Sequence, residues 1–293
     1  MRGLPFVVAS LAALAIATAS QGAAPRWIVF SGEQGTNTLQ QLYRIDTTGG
    51  GLKQLTTGSL PAVSPSFAPN GNRIAFTRLG SGIYTMNTDG SGVRRLTSNG
   101  RDSYAVWSPD GKRIAFTRVV GANWRLFTMT ADGKQQHRLA GAPPAGRPSW
   151  SKDGKSIFIP SAGDLVRVDS VTGKIQTYYG MTLDVQTGQT IAVSPSGKQA
   201  AFVAPRLATG PPDCGEGRCQ QFGLYLANVP APHRMRKLRN DTGAPGWSPD
   251  GSSIVYAAKG VLTVRNVRSG AERAIATGAA TVIGDAPPAW QPR

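Results

Sequence analysis

The chain has 293 residues and carries 32 Lys and Arg against 16 Asp and Glu, a formal charge of +16. Its 36 Gly and 21 Pro exclude a coiled coil or helical bundle, and its 40% hydrophobic content excludes a disordered chain. Two Cys and two His are too few for a disulfide-dense scaffold or a His-rich metal enzyme.

Residues 1–19 read MRGLPFVVASLAALAIATA: Arg2 is a positive start, Leu4 to Ile16 an apolar core, and Ala17-Thr18-Ala19 an A-x-A cleavage signal. The expectation is a signal peptide at 1–19, too short to span a bilayer, followed by one domain over 20–293. No Cys follows the cleavage site and no later stretch is apolar enough to cross a membrane. The expected product is therefore secreted or periplasmic, without a lipid or transmembrane anchor. Four residues separate Cys214 and Cys219 in PDCGEGRC. In an oxidising compartment they are expected to form a local disulfide, since a redox CxxC pair needs two intervening residues.

Beyond the leader, Arg26–Phe30, Gln41–Ile45 and Leu52–Thr56 read as three short strands. A phrase then recurs: FAPNGNRIAF from Phe67, WSPDGKRIAF from Trp107, WSKDGKSIFI from Trp150, VSPSGKQAAF from Val193 and WSPDGSSIVY from Trp247. A sixth copy starts at Trp290 and stops with the chain. The leading residues are spaced by 40, 43, 43, 54 and 43. A period near forty with short strands predicts a propeller with one four-stranded blade per repeat. A strand ending at the aromatic enters a Pro-Asp-Gly turn, Arg-Ile-Ala-Phe returns, and Asn87-Thr-Asp-Gly-Ser-Gly92 makes the next hairpin. The N-terminus lacks an innermost strand, and Pro288-Ala-Trp290 supplies one without the other three. The expected fold is thus all-β, a six-bladed β-propeller whose last strand completes the first blade.

The phrase W-S-P-D-G-K-R-I-A-F, with N-T-D-G-S-G and R-R-L-T, resembles the PD40 repeat of TolB-type β-propellers. The likeness covers essentially the whole chain after the leader, without the N-terminal domain of the TolB type. It implies a periplasmic scaffold that docks another protein at the channel mouth.

Short turns join the first strand to the second and the third to the fourth, so variable loops gather on the opposite face, the expected binding face. The longest insertion, Ala204 to Phe222, belongs there. Arg101, Asp102, Tyr104, Arg147, Gln189, Asn240, Asp241 and Asp285 are placed at the starts of innermost strands, around the channel mouth. They are the candidate partner-binding residues. Asp102, Asp241 and Asp285 are also the carboxylates that a glycan hydrolase or lyase, or a cation, would use.

No GxSxG elbow, HExxH helix or Walker loop is present, and His137 and His233 map to the rim. The six Trp read as blade-packing anchors. The expected protein is non-enzymatic, monomeric and without cofactor or metal. It binds an envelope protein or peptide, and no nucleic acid because it is exported. The +16 charge motivates the alternative of an anionic envelope polysaccharide. However, nine basic residues, from Lys53 to Arg273, fall on outermost strands, where they read first as edge protection.

Overall fold

The repeated phrase folds through one local hydrogen-bond pattern. The Ser108 hydroxyl donates to Asp110 Oδ1 at 2.6 Å and accepts from the Arg113 amide at 2.9 Å. Asp110 Oδ1 also accepts from the Lys112 amide at 3.0 Å. Ser151–Asp153 and Ser248–Asp250 repeat the contact, each at 2.6 Å. Gly111 sits at φ +70°, a conformation that costs an L side chain steric strain, so the turn requires glycine there.

The computed structural model describes residues 26–35, 37–143, 146–161, 164–179, 191–205, 222–229, 235–240, 242–278, 280–283 and 287–292. Cys214 and Cys219, the leader and most of the 204–222 insertion lie outside them.

The first blade contains β1 (Trp27–Gln34), β2 (Asn37–Asp46) and β3 (Lys53–Gln54). The second contains β4 (Ala62–Phe67), β5 (Arg73–Arg78), β6 (Gly82–Asn87) and β7 (Arg94–Arg95). The third is β8 (Asp102–Trp107), β9 (Arg113–Val120), β10 (Asn123–Thr130) and β11 (His137–Arg138). The fourth is β12 (Ser149–Trp150), β13 (Ser156–Ser161), β14 (Asp164–Asp169) and β15 (Ile175–Tyr179). The fifth is β16 (Ile191–Val193), β17 (Gln199–Pro205), β18 (Phe222–Asn228) and β19 (Arg236–Asn240). The sixth is β20 (Gly246–Trp247), β21 (Ser253–Ala258), β22 (Val261–Asn266) and β23 (Glu272–Ile275). Finally β24 (Ala280–Val282) and β25 (Ala289–Trp290) return to the first blade. Six antiparallel sheets result, and no helix occurs among the described residues.

Closure occurs where the repeat register predicts it and uses more chain than expected. Trp290 pairs with Ile28 and Ala289 with Val29. A second segment, β24, pairs Val282 with Gly32, so the innermost strand of the first blade is built from two pieces. The Gln291 amide donates to Trp27 O at 2.9 Å, and its side chain donates to Gly71 O of the second blade at 3.0 Å. Gly246 of the sixth blade must be glycine, because a Cβ there would lie 2.0 Å from the Pro288 carbonyl oxygen.

The core is a ring of six layers, each between two neighbouring blades. Val29, Phe67 and Phe76 join the first and second blades; Ile83, Trp107 and Phe116 join the second and third. Corresponding clusters lie at the remaining interfaces, ending with Phe30, Tyr43, Val255 and Leu262 between the sixth blade and the first. The last residue of each repeat phrase, Phe76, Phe116, Ile159, Phe202 or Tyr256, is buried. Each contributes on the order of 2 kcal/mol by leaving water.

Basic side chains add a second link between blades. Lys53 donates to Asp89 O at 2.8 Å, Arg94 to Asp132 O, Arg236 to Val267 O at 3.0 Å, and Arg273 to Thr47 O. In every case a residue on an outermost strand reaches the outer hairpin of the next blade, and Arg273 does so across the closure. Arg113 similarly reaches Ser170 O at 3.1 Å and stacks over Trp150 at 4.9 Å. The outer-strand cations therefore join blades as well as bordering sheet edges.

Two outcomes follow. Ending the chain after Ala286 removes β25 and exposes the cluster at the closure, so thermal unfolding should show a loss of several kcal/mol; an unchanged melt would contradict closure. The second concerns acid. Asp110, Asp132 and Asp153 have carboxyl pKa values held down first by the hydroxyls of Ser108, Thr130 and Ser151, and Asp132 falls from 3.8 to about 2. A lowered folded-state pKa stabilises above the unfolded value and ceases to do so as pH falls through the folded one. The melting temperature should therefore be flat from about pH 8 to about pH 5 and fall between about pH 4 and about pH 2. The triple Asp→Asn variant should show a shallower acid decline, measured by circular dichroism.

Candidate functional site

The six innermost strands surround an axial cavity of about 300 Å³. Its wall carries Phe67, Trp107, Trp150, Val193, Trp247 and Trp290, the leading residues of the six repeat phrases. Pro69, Pro109, Pro195 and Pro292, the turn prolines that follow them, also line it. The cavity therefore reaches the face of the short turns, opposite the loop face favoured by the sequence reading. Two indoles are fixed by the neighbouring blade: Trp150 Nε1 donates to Val106 O at 3.1 Å and Trp247 Nε1 to Ala192 O at 2.8 Å.

Among the described residues, Arg147 is the one ionisable side chain lining this space. It precedes β12, three residues before Trp150, in the register that Ser64 and Tyr104 occupy before Phe67 and Trp107. Those two residues have φ values of +56° and +58° and sit at breaks in strand register, between Val63 and Ser66 and between Ser103 and Val106. The bulges widen the inner strands toward the axis. From the fourth blade, Arg147 Nη2 donates across the channel to Pro65 O of the second at 3.2 Å. Protein surrounds the guanidinium while one side remains open to the channel. Burial lowers its pKa to about 10, opposed by nearby Tyr104, so it is charged at neutral pH.

The other predicted mouth residues separate. Asp102 is fully buried, and its carboxylate accepts from Arg118 Nε at 2.5 Å and Nη2 at 2.8 Å. Arg118 also donates to Gln136 Oε1 at 2.8 Å and lies over Phe127 at 4.8 Å. Its pKa is raised, chiefly by the hydrogen bonds to Asp102. This pair ties the inner strand of the third blade to its neighbour β9. Tyr104 packs against Trp124, ring centroids 5.8 Å apart, and Arg101 is exposed at the head of β8. Asn240 requires a correction: it ends β19, an outermost strand, because that strand runs longer than the repeat register suggested. Gln189, Asp241 and Asp285 lie outside the described residues. No group of three His, Cys, Asp or Glu able to hold a metal occurs among the described residues.

Sequence reasoning placed Arg147 on the axis but assigned the aromatics to packing and the turn prolines to hairpin geometry alone. The signal for the cavity was already present: an aromatic followed two positions later by a turn proline recurs on the innermost strands, so both types converge on the axis.

The strand order, turn chemistry and axial cavity define a six-bladed propeller of PD40 repeats. The chain belongs to the family described as TolB beta propeller domain (PD40), which residues 7–187 match. It is 45% identical over 58 residues to the Tol-Pal system protein TolB of Gluconobacter oxydans (strain 621H), a match spanning 19% of this chain and 13% of that relative. Among solved structures it is similar to TolB from Acinetobacter baumannii, with TM-score 0.73 and 21% identity over 92% of this chain and 67% of that one. It is also similar to a chain of a nidogen/laminin complex, with TM-score 0.65 and 10% identity over 90% of this chain and 98% of that one. At such identities these likenesses show the fold alone.

Breaking the Asp102–Arg118 pair leaves a largely buried guanidinium without its carboxylate. Asp102→Asn should cost about 3 kcal/mol in denaturant unfolding, and Asp102→Asn with Arg118→Met should recover most of it. A loss below about 1 kcal/mol would place the pair among weak surface bridges.

Proposed function

We propose that the protein is an exported, non-enzymatic TolB-like scaffold that binds a protein or peptide segment of the cell envelope in its axial channel. The observation that carries this reading is the cavity of about 300 Å³, enclosed by all six blades and walled by aromatics and prolines. Pockets of this size, mostly apolar and with few polar groups, suit a side chain or short segment. The leader-like residues 1–19 support export, and the named role of the Gluconobacter relative in a Tol-Pal system supports an envelope partner. The glycan-hydrolase alternative loses one of its three carboxylates, because Asp102 is engaged by Arg118. The polysaccharide alternative is weakened because many cations on the outer strands already donate to carbonyls of the next blade.

A photo-crosslinking residue at Ser149, on the channel wall, should capture one discrete envelope protein in cells. The same residue at Val171, which is 64% exposed on an outer hairpin, should not. Equal capture at both positions would refute channel binding.

A further inference from the structure

Several other cations find a carboxylate or an aromatic ring within this chain. Arg118 has Asp102, Arg239 and Arg265 share Glu272, and Arg44 and Arg113 lie over Trp27 and Trp150. Arg147 differs. It makes no ion pair among the described residues, and its one hydrogen bond given by the structure is to Pro65 O. A guanidinium has five N–H donors, so four have no protein acceptor among the described residues. A partly buried cation without a counter-charge beside it attracts an anion more strongly than one in water.

The surroundings select the anion. Among the described residues, no Asp or Glu lines the cavity. Prolines have no N–H to offer an anion, and indole and pyrrolidine rings favour methylene groups and peptide backbone. A doubly charged, strongly hydrated oxyanion would exchange its water for a single guanidinium and a wall mostly of rings with a few serines. A carboxylate matches the planar fork and forms two parallel hydrogen bonds. The cavity is too small for a folded domain and large enough for a side chain with its flanking backbone. The +16 charge of the chain draws an acidic segment toward it.

We propose that the axial channel is a carboxylate receptor, in which Arg147 grips the side chain of a Glu or Asp carried by a peptide segment that enters past the turn prolines. This rests on the reading of the channel as the binding site and adds the chemistry of what it holds.

The test uses the full chain without its leader, titrated with acetyl-Ala-Glu-Ala-amide and followed by tryptophan fluorescence. Acetyl-Ala-Gln-Ala-amide, acetyl-Ala-Ala-Ala with a free C-terminus, and sodium sulfate are the comparisons. The Glu peptide should bind at least about tenfold more tightly than the Gln peptide, equivalent to about 1.4 kcal/mol. Arg147→Met should reduce that ratio to about twofold or less, and Arg147→Lys should fall between because it loses the bidentate fork. Arg147→Met should melt no lower than the parent, since it removes a partly buried charge that has no counter-ion among the described residues.

Equal affinity for the Glu and Gln peptides, no saturation by the Glu peptide, or discrimination that survives Arg147→Met would overturn the proposal. So would sulfate or the free C-terminus binding as tightly as the Glu peptide. A large drop in melting temperature for Arg147→Met that Arg147→Lys restores would make Arg147 a structural link to Pro65, and would also overturn it. Crosslinking from Ser149 that persists in Arg147→Met would leave the scaffold reading standing while the carboxylate assignment falls.

Discussion

The structure depends on the closure of a ring. A blade of four strands buries little on its own, because both of its faces are apolar and each must be covered by a neighbour. Six blades in a row would leave two such faces open. Pairing Ile28 with Trp290 removes both ends together and creates the sixth interface, where Phe30 and Tyr43 meet Val255 and Leu262. Stability is therefore shared around the circle, and damage at the closure exposes two blade faces as well as a strand edge. The close approach of Gly246 to the Pro288 carbonyl shows how tightly this junction is made.

Closure also explains the charge. Rim hairpins present backbone carbonyls that lack ladder partners, and a long cationic side chain from the preceding blade can reach them. Lys53, Arg94, Arg236 and Arg273 do this at four of the six interfaces, always in the same rotational sense. Carbonyl acceptors need no acidic partner, so the chain can carry twice as many basic as acidic residues and still use many of them in the fold. Edge protection and linkage are compatible roles for the same side chains, because a guanidinium that crosses to the next hairpin also blocks the outer strand from pairing with another molecule.

Much of the architecture was legible because the repeat repeats its chemistry. Trp107, Pro109, Asp110 and Gly111 each have a local physical role, and five further copies confirm the register by their spacing. The blade count followed from the incomplete copy at Trp290. What was not legible depended on contacts between repeats. Nothing in the sequence near Asp102 says that Arg118, sixteen residues away, takes its carboxylate. The split innermost strand of the first blade was missed because β24 carries no repeat phrase. Asn240 was misplaced because the fifth repeat is the longest, and its register after the insertion rested on fewer anchors.

The same division accounts for the axis. Favourable burial is concentrated between blades, in layers that reach the channel only at their inner edge, where Phe67 and Trp107 belong to both, so the innermost strands need not fill the axis. They bulge instead, with Ser64 and Tyr104 held at positive φ. Non-glycine residues adopt that conformation at a cost of about 1 kcal/mol or more, which persists where surrounding structure enforces it. The channel thus holds several features that packing alone would not select: strained inner strands, aromatic faces turned toward an axial space, and a guanidinium with one carbonyl acceptor. A ring stabilised at its six interfaces can tolerate them at its centre. Arg147 is unlike the rim cations in this respect, since they satisfy carbonyls of the next outer hairpin, whereas it borders the channel and its one acceptor among the described residues lies two blades away.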